Sequence, residues 1–178
     1  MPDLTTLPGG TSVFVDTNVF HYHYQGKSIS CSNFINRVAQ GEVEAYVNTQ
    51  VLSDLLHHLM CTEVAGKLGS KKIYYDQVKN FLRNQHGQEY PLKDYQAQFE
   101  YIIATGLHVL PINENLLVDT IVERQRYYLM TGDSLHLGTM NRRKIKKRKA
   151  PLQDIVTYDA DFDHIPGLTV WKPSDVTP

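Results

Sequence analysis

Short apolar runs rich in β-branched and aromatic residues alternate with longer segments whose apolar residues recur at helical spacing. The short runs predict strands at 12–16, 44–48, 107–112, 154–159 and 168–173. The longer segments predict helices at 31–41, 49–66, 71–84, 93–104, 113–123 and 132–143. Strands that alternate with helices indicate an α/β protein in which helices cover both faces of a parallel sheet.

Aspartates stand at the ends of two predicted strands. Asp16 closes the first strand in SVFVDTNVF, and Asp159 closes the fourth in DIVTYD. Ligands bind outside the carboxyl ends of the strands in open parallel sheets, so both carboxylates should project into one crevice. An acid at the end of a buried strand is costly unless a cation or hydrogen-bond donors compensate it, which favours either a turn cap or a chemical role.

Two acids in predicted helices could reach the same crevice. Asp133 in GDSLHLGT lies on the helical face of Leu137 and Met140, although the helix dipole alone would also favour an acid in that first turn. Asp54 lies off the apolar stripe of the helix at 49–66, where a surface position and a cleft position give the same pattern. Of the three aspartates in TYDADFDHIPGL, one or two should only organise the turn.

Carboxylates that converge on one point repel each other, and a hard divalent cation is the usual compensation at neutral pH. Mg²⁺ and Mn²⁺ prefer such oxygen ligands. A site of this kind activates water and stabilises phosphoryl oxygens, so the predicted chemistry is hydrolysis of a phosphodiester.

The charges of the chain, which sum to a net −1, are distributed unevenly. The run RRKIKKRK contains seven of the 18 lysines and arginines and no acid, which leaves 11 basic residues against 19 acidic ones elsewhere. Such a run is typical of a surface that contacts a polyanion, and equally of a solvated loop or helix end. The candidate nucleic-acid-binding residues are Arg142, Arg143, Lys144, Lys146, Lys147, Arg148 and Lys149.

The composition, with 42% hydrophobic and 21% charged residues, is that of an ordinary soluble globular protein, and 178 residues suffice for a single domain. No apolar stretch approaches the roughly 18 residues that span a membrane, and MPDLTTLPGG does not have the pattern of a secretory signal. Cys31 and Cys61 form no CxxC pair, which predicts reduced thiols in a cytoplasmic protein.

Four motifs, in this order and spacing, resemble the PIN domain, and most of all the VapC-type toxin ribonucleases of toxin–antitoxin pairs. They are VFVDTNVF, the acid in the helix after the second strand, GDSLHLGT, and IVTYDADFDHIPGLTVW. The resemblance extends from about residue 12 to residue 173 and implies one PIN-like domain over 1–178. It also implies a three-layer α/β/α fold around a central, mostly parallel sheet of about five strands.

The resemblance implies a metal site built from acids. Asp16, Asp133 and Asp159 would bind Mg²⁺ or Mn²⁺ directly, Asp54 would help directly or through water, and Asp161 would be an extra ligand. The same resemblance makes these acids the catalytic residues of a ribonuclease.

Two further polar residues match the family pattern. Asn18 of the DTN motif corresponds to a polar residue that orients the site, and Thr157 corresponds to the hydroxyl residue two positions before the acid that Asp159 matches. The resemblance also implies an RNA substrate, a homodimer and an antitoxin protein as partner, with no membrane association.

Two features depart from the family pattern. The family usually has glutamate where this chain has Asp54, in SDLL, and aspartate is one methylene shorter. The basic run lies in a turn that is shorter in many relatives. These departures keep a second hypothesis open, a catalytically silent PIN-like module that binds RNA or a protein. A flap-endonuclease type of DNA nuclease is disfavoured, because too few acids are suitably placed and a helical clamp segment is missing.

Histidines cluster in HYHY at 21–24 and in the pair His57–His58. A zinc site is disfavoured there, because no cysteine or third histidine is convincingly placed nearby. His136 stands three residues after Asp133 and is either a residue of the cleft or a hydrogen-bonded structural histidine.

Overall fold

One parallel sheet organises the molecule, whose computed structural model describes residues 1–70, 72–142 and 151–176. In the described residues the strand order is β3-β2-β1-β4-β5, and every neighbouring pair is parallel. The strands are β1 (Ser12–Val15), β2 (Glu44–Asn48), β3 (His108–Leu110), β4 (Asp154–Val156) and β5 (Thr169–Trp171). The predicted α/β/α architecture around a parallel sheet is confirmed.

Helices flank the sheet, and Asn48 and Asn113 cap two of them by accepting hydrogen bonds from backbone N–H groups. The helices in the described ranges are α1 (Thr17–Tyr24), α2 (Ile29–Ala39), α3 (Thr49–Lys67), α4 (Tyr75–Asn84), α5 (Asp94–Ala104), α6 (Glu114–Tyr127) and α7 (Thr131–Arg142). Short 3-10 turns cover Leu4–Thr6 and Ala160–Phe162.

Helix α1 is the element that the sequence pattern did not predict. Its eight residues, TNVFHYHY, bury only Val19 and Phe20, so its apolar stripe is too short to show helical periodicity. Asp16 is the N-cap of α1, and its side chain accepts a hydrogen bond from the backbone N–H of Thr17. The chain therefore passes from β1 into α1 without a loop, which holds Asp16 at the edge of the sheet.

The central strand β1 determines where the cleft of this fold lies. Val13, Phe14 and Val15 of β1 have no exposed surface. The sheet continues through β2 and β3 on one side of β1 and through β4 and β5 on the other. The direction of strand order reverses between β1 and β4, and a crevice forms outside the carboxyl ends of parallel strands at such a point.

A second, smaller apolar cluster lies apart from the main core. It is formed by Val64 of α3, Val78 of α4 and Leu92, all of them buried. Burial of these side chains holds α4 against the C-terminal half of α3. None of the helices described is both long enough and apolar enough to cross a membrane.

Gly138 allows α7 to pack closely against α6. A Cβ atom at this position would lie 2.4 Å from Thr120 Cγ2 and 3.1 Å from Leu116 Cδ1, both on α6. We expect Gly138→Ala to lower the free energy of unfolding by about 1–3 kcal/mol, because overpacking at a tight helix contact outweighs the better helix propensity of alanine. Urea denaturation monitored by circular dichroism measures the change.

Gly66 in α3 provides the matched control, because apart from its chain neighbours and the nearby backbone of its own helix no described atom lies within 4 Å of the Cβ position there. Gly66→Ala should leave stability unchanged or raise it by up to about 1 kcal/mol. Adding Thr120→Ala to Gly138→Ala should recover part of the lost stability, since it removes the atom that the new methyl group meets. Equal stability in the two glycine variants would contradict this account of the contact between α6 and α7.

Candidate metal centre

A cleft of about 270 Å³ opens beside the carboxyl ends of β1 and β4. Four of the acids predicted from the sequence line it, namely Asp16, Asp54, Asp133 and Asp159. They come from the cap of α1, the second turn of α3, the first turn of α7 and the loop after β4. The sequence pattern left open whether Asp54 lies on the surface or in the cleft, and the structure places it in the cleft lining.

Hydrogen bonds compensate the burial of Asp16, which is 8% exposed. Its Oδ1 accepts from the backbone N–H of Thr17 at 2.6 Å. Its Oδ2 accepts from Asn18 Nδ2 and from Thr157 Oγ1, each at 2.6 Å. These donors offset the cost of removing a carboxylate from water, and Asp16 both caps α1 and lines the cleft. The chemical role considered from the sequence stays a prediction.

The hydroxyl of Thr157 connects the ends of β1 and β4. Thr157 has no exposed surface, and besides donating to Asp16 its Oγ1 accepts from Asn18 Nδ2 and from Asp159 N, both at 3.0 Å. Asn18 Oδ1 in turn accepts from the backbone N–H of Tyr158 at 3.2 Å. Every hydrogen of the Asn18 amide and the Thr157 hydroxyl is therefore used, and the bonds of Thr157 and Tyr158 to Asp16 and Asn18 hold the loop after β4 against the start of α1.

Asp133, Asp159 and Asp161 form the one group of three ligating side chains that converge within the described residues. One carboxylate oxygen from each lies within 4.8 Å of the others. Partial burial of Asp133, followed by repulsion from Asp159, Asp16 and Asp161, raises the pKa of its carboxyl group to about 6. The described lining of the cleft contains no lysine or arginine that could offset this charge.

Asp16 and Asp54 stand beside this group rather than in it. Both line the cleft, but neither has an oxygen that meets the same mutual distance with two of the other acids. Asp54 Oδ1 accepts a hydrogen bond from Gln50 Nε2 at 2.8 Å, one turn earlier on α3. Asp161, expected as an extra ligand, is part of the convergent group.

His136 is both a residue of the cleft and a buried structural histidine, so the two alternatives left open by the sequence hold together. Asn48 Oδ1 accepts from Val51 N, which leaves the Asn48 amide nitrogen to donate to His136 Nδ1 at 3.1 Å. Burial lowers the pKa of His136, so the ring is neutral. Because Nδ1 accepts from Asn48, the ring carries its hydrogen on Nε2. Nε2 lies 3.7 Å from Asp16 Oδ1.

His21 and His58 also line the cleft, and the sequence analysis did not place them there. His58 follows Asp54 by four residues in α3, and His21 follows Asn18 by three residues in α1. Residues at these spacings share a helical face, so the position of His58 could have been found from the pattern. The position of His21 could not have been found in this way, because the pattern did not predict that residues 17–24 form the helix α1.

The basic run falls mostly outside the described residues. Arg142 ends α7 and forms an ion pair with Asp119 of α6. The remaining candidates, Arg143, Lys144, Lys146, Lys147, Arg148 and Lys149, lie in the segment 143–150, for which no structure is described. The prediction that this run binds nucleic acid therefore stays a prediction.

The donors of the cleft fit a hard divalent cation. Carboxylate oxygens are the ligands that Mg²⁺ and Mn²⁺ prefer, and three of them converge here. Burial, followed by repulsion from the neighbouring carboxylates, raises the pKa of Asp133, and a cation would offset that repulsion. Neither cysteine thiol is part of the lining, so a soft metal finds no sulfur ligand in this cleft.

The fold and the cleft together define a class, an α/β/α protein with a parallel sheet and an acidic site at the carboxyl ends of its central strands. The family model for the PIN domain matches residues 13–168, and the chain belongs to the PIN-domain family. The family resemblance found in the sequence motifs is confirmed by this match.

Two solved structures of toxin–antitoxin complexes have a similar fold. VapBC2 from Rickettsia felis, bound to a DNA fragment from the promoter, is 16% identical with a TM-score of 0.52, over 90% of this chain and 98% of that chain. A toxin–antitoxin complex from Klebsiella pneumoniae is 14% identical with a TM-score of 0.52, over 92% of this chain and 99% of that chain. A comparison with curated proteins finds no match.

Proposed function

We propose that this chain is an endoribonuclease that depends on Mg²⁺ or Mn²⁺. The observation that carries the proposal is the convergence of Asp133, Asp159 and Asp161 within 4.8 Å, in a cleft whose described lining has no lysine or arginine. The resemblance of the motifs to VapC-type toxin ribonucleases supports the choice of RNA as the substrate.

The acids have different proposed roles in binding the cation. In this proposal Asp16, Asp133 and Asp159 bind it directly, Asp161 adds a ligand, and Asp54 acts directly or through water. When bound, the cation supplies charge stabilisation to phosphoryl oxygens and activates water for in-line attack on phosphorus, so that no covalent enzyme intermediate is needed.

Neighbouring residues hold the acids in place. Asn18 and Thr157 fix the Asp16 carboxylate through their hydrogen bonds to Oδ2. Thr157 also accepts the N–H of Asp159, so one hydroxyl positions two of the proposed ligands. Ligands whose orientation is fixed by such contacts bind a cation with less loss of conformational freedom.

Partners and location form part of the proposal. The basic run at 142–149 would attract RNA phosphates, since lysine and arginine neutralise a polyanion. An antitoxin protein is proposed because the two solved structures described above are toxin–antitoxin complexes. A homodimer is supported by the exposed apolar face of α6, which carries Leu117, Val118, Ile121 and Val122. The free thiols of Cys31 and Cys61 fit a cytoplasmic location.

The test is cleavage of a labelled pool of single-stranded RNA by the wild type and by Asp16→Asn, with Mg²⁺, Mn²⁺ or EDTA. Any co-purified partner is removed first, and both proteins are purified in parallel to control for contaminating nucleases. We expect the wild type to cut RNA with a cation and not with EDTA, and Asp16→Asn to lose at least about 100-fold of this activity. Cleavage that survives in Asp16→Asn would contradict the proposal.

A catalytically silent RNA- or protein-binding module remains the second candidate. The observation that favours it is Asp54, which is shorter than the usual glutamate and is held by Gln50 Nε2 outside the convergent group. This candidate predicts RNA binding without cleavage under every metal condition of the same assay. It also predicts no binding of Mg²⁺ or Mn²⁺ that depends on Asp16.

A further inference from the structure

Two histidines face the cleft with no role in the metal site described above. His21 on α1 is partly buried and His58 on α3 is exposed, and their ring centroids lie 5.2 Å apart at an angle of 52°. Neither imidazole has a hydrogen-bond partner among the described residues. Their sequence neighbours differ, since His23 Nδ1 pairs with Ser32 Oγ at 2.9 Å and His57 Nε2 contacts the thiol of Cys61 at 3.6 Å.

The charge of the cleft creates a need for hydrogen-bond donors. RNA carries one negative phosphate per nucleotide, and a cation at the aspartates neutralises charge at only one position along the strand. The described lining has no lysine or arginine, and the Asn18 amide is used by Asp16 and Thr157. The side-chain donors that remain in the described lining are Thr17, His21, His58 and the buried His136, whose Nε2 lies 3.7 Å from Asp16 Oδ1.

We propose that His21 and His58 form a phosphate-binding subsite next to the metal centre, where their ring N–H groups donate to non-bridging oxygens of a phosphate that neighbours the one being cut. The inference rests on the proposed ribonuclease function for its substrate. The two rings come from different helices and meet at the same side of the cleft, so one phosphate group can contact both.

The electrostatics of the free protein agree with this assignment. Burial, followed by the proximity of His58 and Lys27, lowers the pKa of His21. A neutral imidazole still offers one N–H, and an anion between the two rings would favour a second. A metal-binding role for the histidines has less support, because the group of three converging ligands in the described residues consists of Asp133, Asp159 and Asp161.

The chain provides matched controls for the test. His21→Ala and His58→Ala remove the proposed donors, and His23→Ala and His57→Ala remove the same side chain one or two positions away. RNA affinity is measured by fluorescence anisotropy with a labelled single-stranded RNA and Mn²⁺, in an Asp133→Asn background that prevents cleavage. Mn²⁺ affinity is measured by calorimetry on each single variant with the natural Asp133.

We expect His21→Ala and His58→Ala to raise the Kd for RNA by about 5- to 30-fold, as for the loss of a hydrogen bond to a charged group at a partly exposed site. The double variant should lose less than the product of the two effects, because both rings contact one phosphate. His21→Gln, which keeps a side-chain N–H, should recover part of the affinity. His23→Ala, His57→Ala and the Mn²⁺ affinity of all variants should stay within about twofold of the wild type.

RNA affinity that is unchanged in both cleft variants would overturn the subsite. A loss of Mn²⁺ affinity in His21→Ala or His58→Ala would also overturn it and would make the histidines metal ligands. Equal losses of RNA affinity in the two cleft variants and in His23→Ala and His57→Ala would show that the substitutions act by general destabilisation, which would also overturn the subsite. If the wild type binds RNA through His21 and His58 but never cuts it, the subsite stands and the proposed nuclease activity fails.

Discussion

Asp133→Asn is expected to abolish metal-dependent RNA cleavage and, at the same time, to raise the melting temperature of the metal-free protein by about 2–5 °C at pH 7. The reason is that burial and three nearby carboxylates raise the pKa of Asp133 to about 6. A rise of this size corresponds to about 3 kcal/mol of unfavourable interaction, of which roughly 1–1.5 kcal/mol remains after allowance for solvent screening at a partly exposed group. Asparagine removes the charge and keeps the shape.

The pH dependence of stability gives an independent reading of the same repulsion. Because the pKa of the Asp133 carboxyl group is higher in the folded than in the unfolded chain, the folded state binds more protons between about pH 4 and pH 6. The contribution of this group to the free energy of unfolding therefore falls as the pH rises through that window. The fall should be smaller in Asp133→Asn, measured by urea denaturation of the metal-free proteins across this range.

Cation binding should stabilise the wild type more than Asp133→Asn. A cation at 100 times its Kd stabilises the folded wild type by about 2.7 kcal/mol, and Asp133→Asn should gain much less. Asp163→Asn is the control, because Asp163 pairs with Lys172 and does not line the cleft. A melting temperature that falls in metal-free Asp133→Asn would contradict the account of the acids as mutually repulsive. The melting temperature of metal-free Asp16→Asn should fall, because Thr17 N, Asn18 Nδ2 and Thr157 Oγ1 lose a charged acceptor there.

The parts of the fold that the sequence predicts are those with strong local signals. β2 was predicted at 44–48 and lies there, because its apolar run is bounded by a glycine-containing turn and by the Asn48 cap. α3 was predicted at 49–66 and ends one residue later, since its apolar stripe persists over its length. β4 was predicted to reach residue 159 but ends at Val156. The backbone N–H of Thr157 still donates to Trp171 O of β5, but the N–H groups of Tyr158 and Asp159 donate to the side chains of Asn18 and Thr157 instead of a neighbouring strand.

The candidate site was predictable as a set of acids but not as a network of contacts. Asp16 and Asp159 could be placed in one crevice because parallel strands end at the same edge of a sheet. The contacts of Thr157 and Asn48 could not be predicted, because each joins residues that are far apart in the chain. Such pairs leave no periodic signal in a single sequence, and they become visible only when the sheet order is known.

Thr157→Val is expected to lower the free energy of unfolding by about 2–3 kcal/mol and the rate of metal-dependent cleavage by about 10- to 100-fold. Valine has nearly the shape of threonine, so the fully buried site is filled and the change removes the hydroxyl alone. Asp16 Oδ2 then loses one donor, and the N–H groups of Asn18 and Asp159 that donate to Thr157 Oγ1 lose their acceptor. Unsatisfied buried polar groups account for the loss of stability.

Thr157→Ser separates the hydroxyl from the methyl group. Serine keeps Oγ and loses one methyl, so its stability should lie within about 1 kcal/mol of the wild type and its cleavage rate within about threefold. Urea denaturation and single-turnover cleavage, at a temperature where every variant is folded, compare the two substitutions. Equal cleavage rates in Thr157→Val and Thr157→Ser would mean that the hydroxyl does not position Asp16 and Asp159. A slow cleavage rate in Thr157→Val but not in Thr157→Ser would mean that this hydroxyl positions Asp16 and Asp159 around one cation.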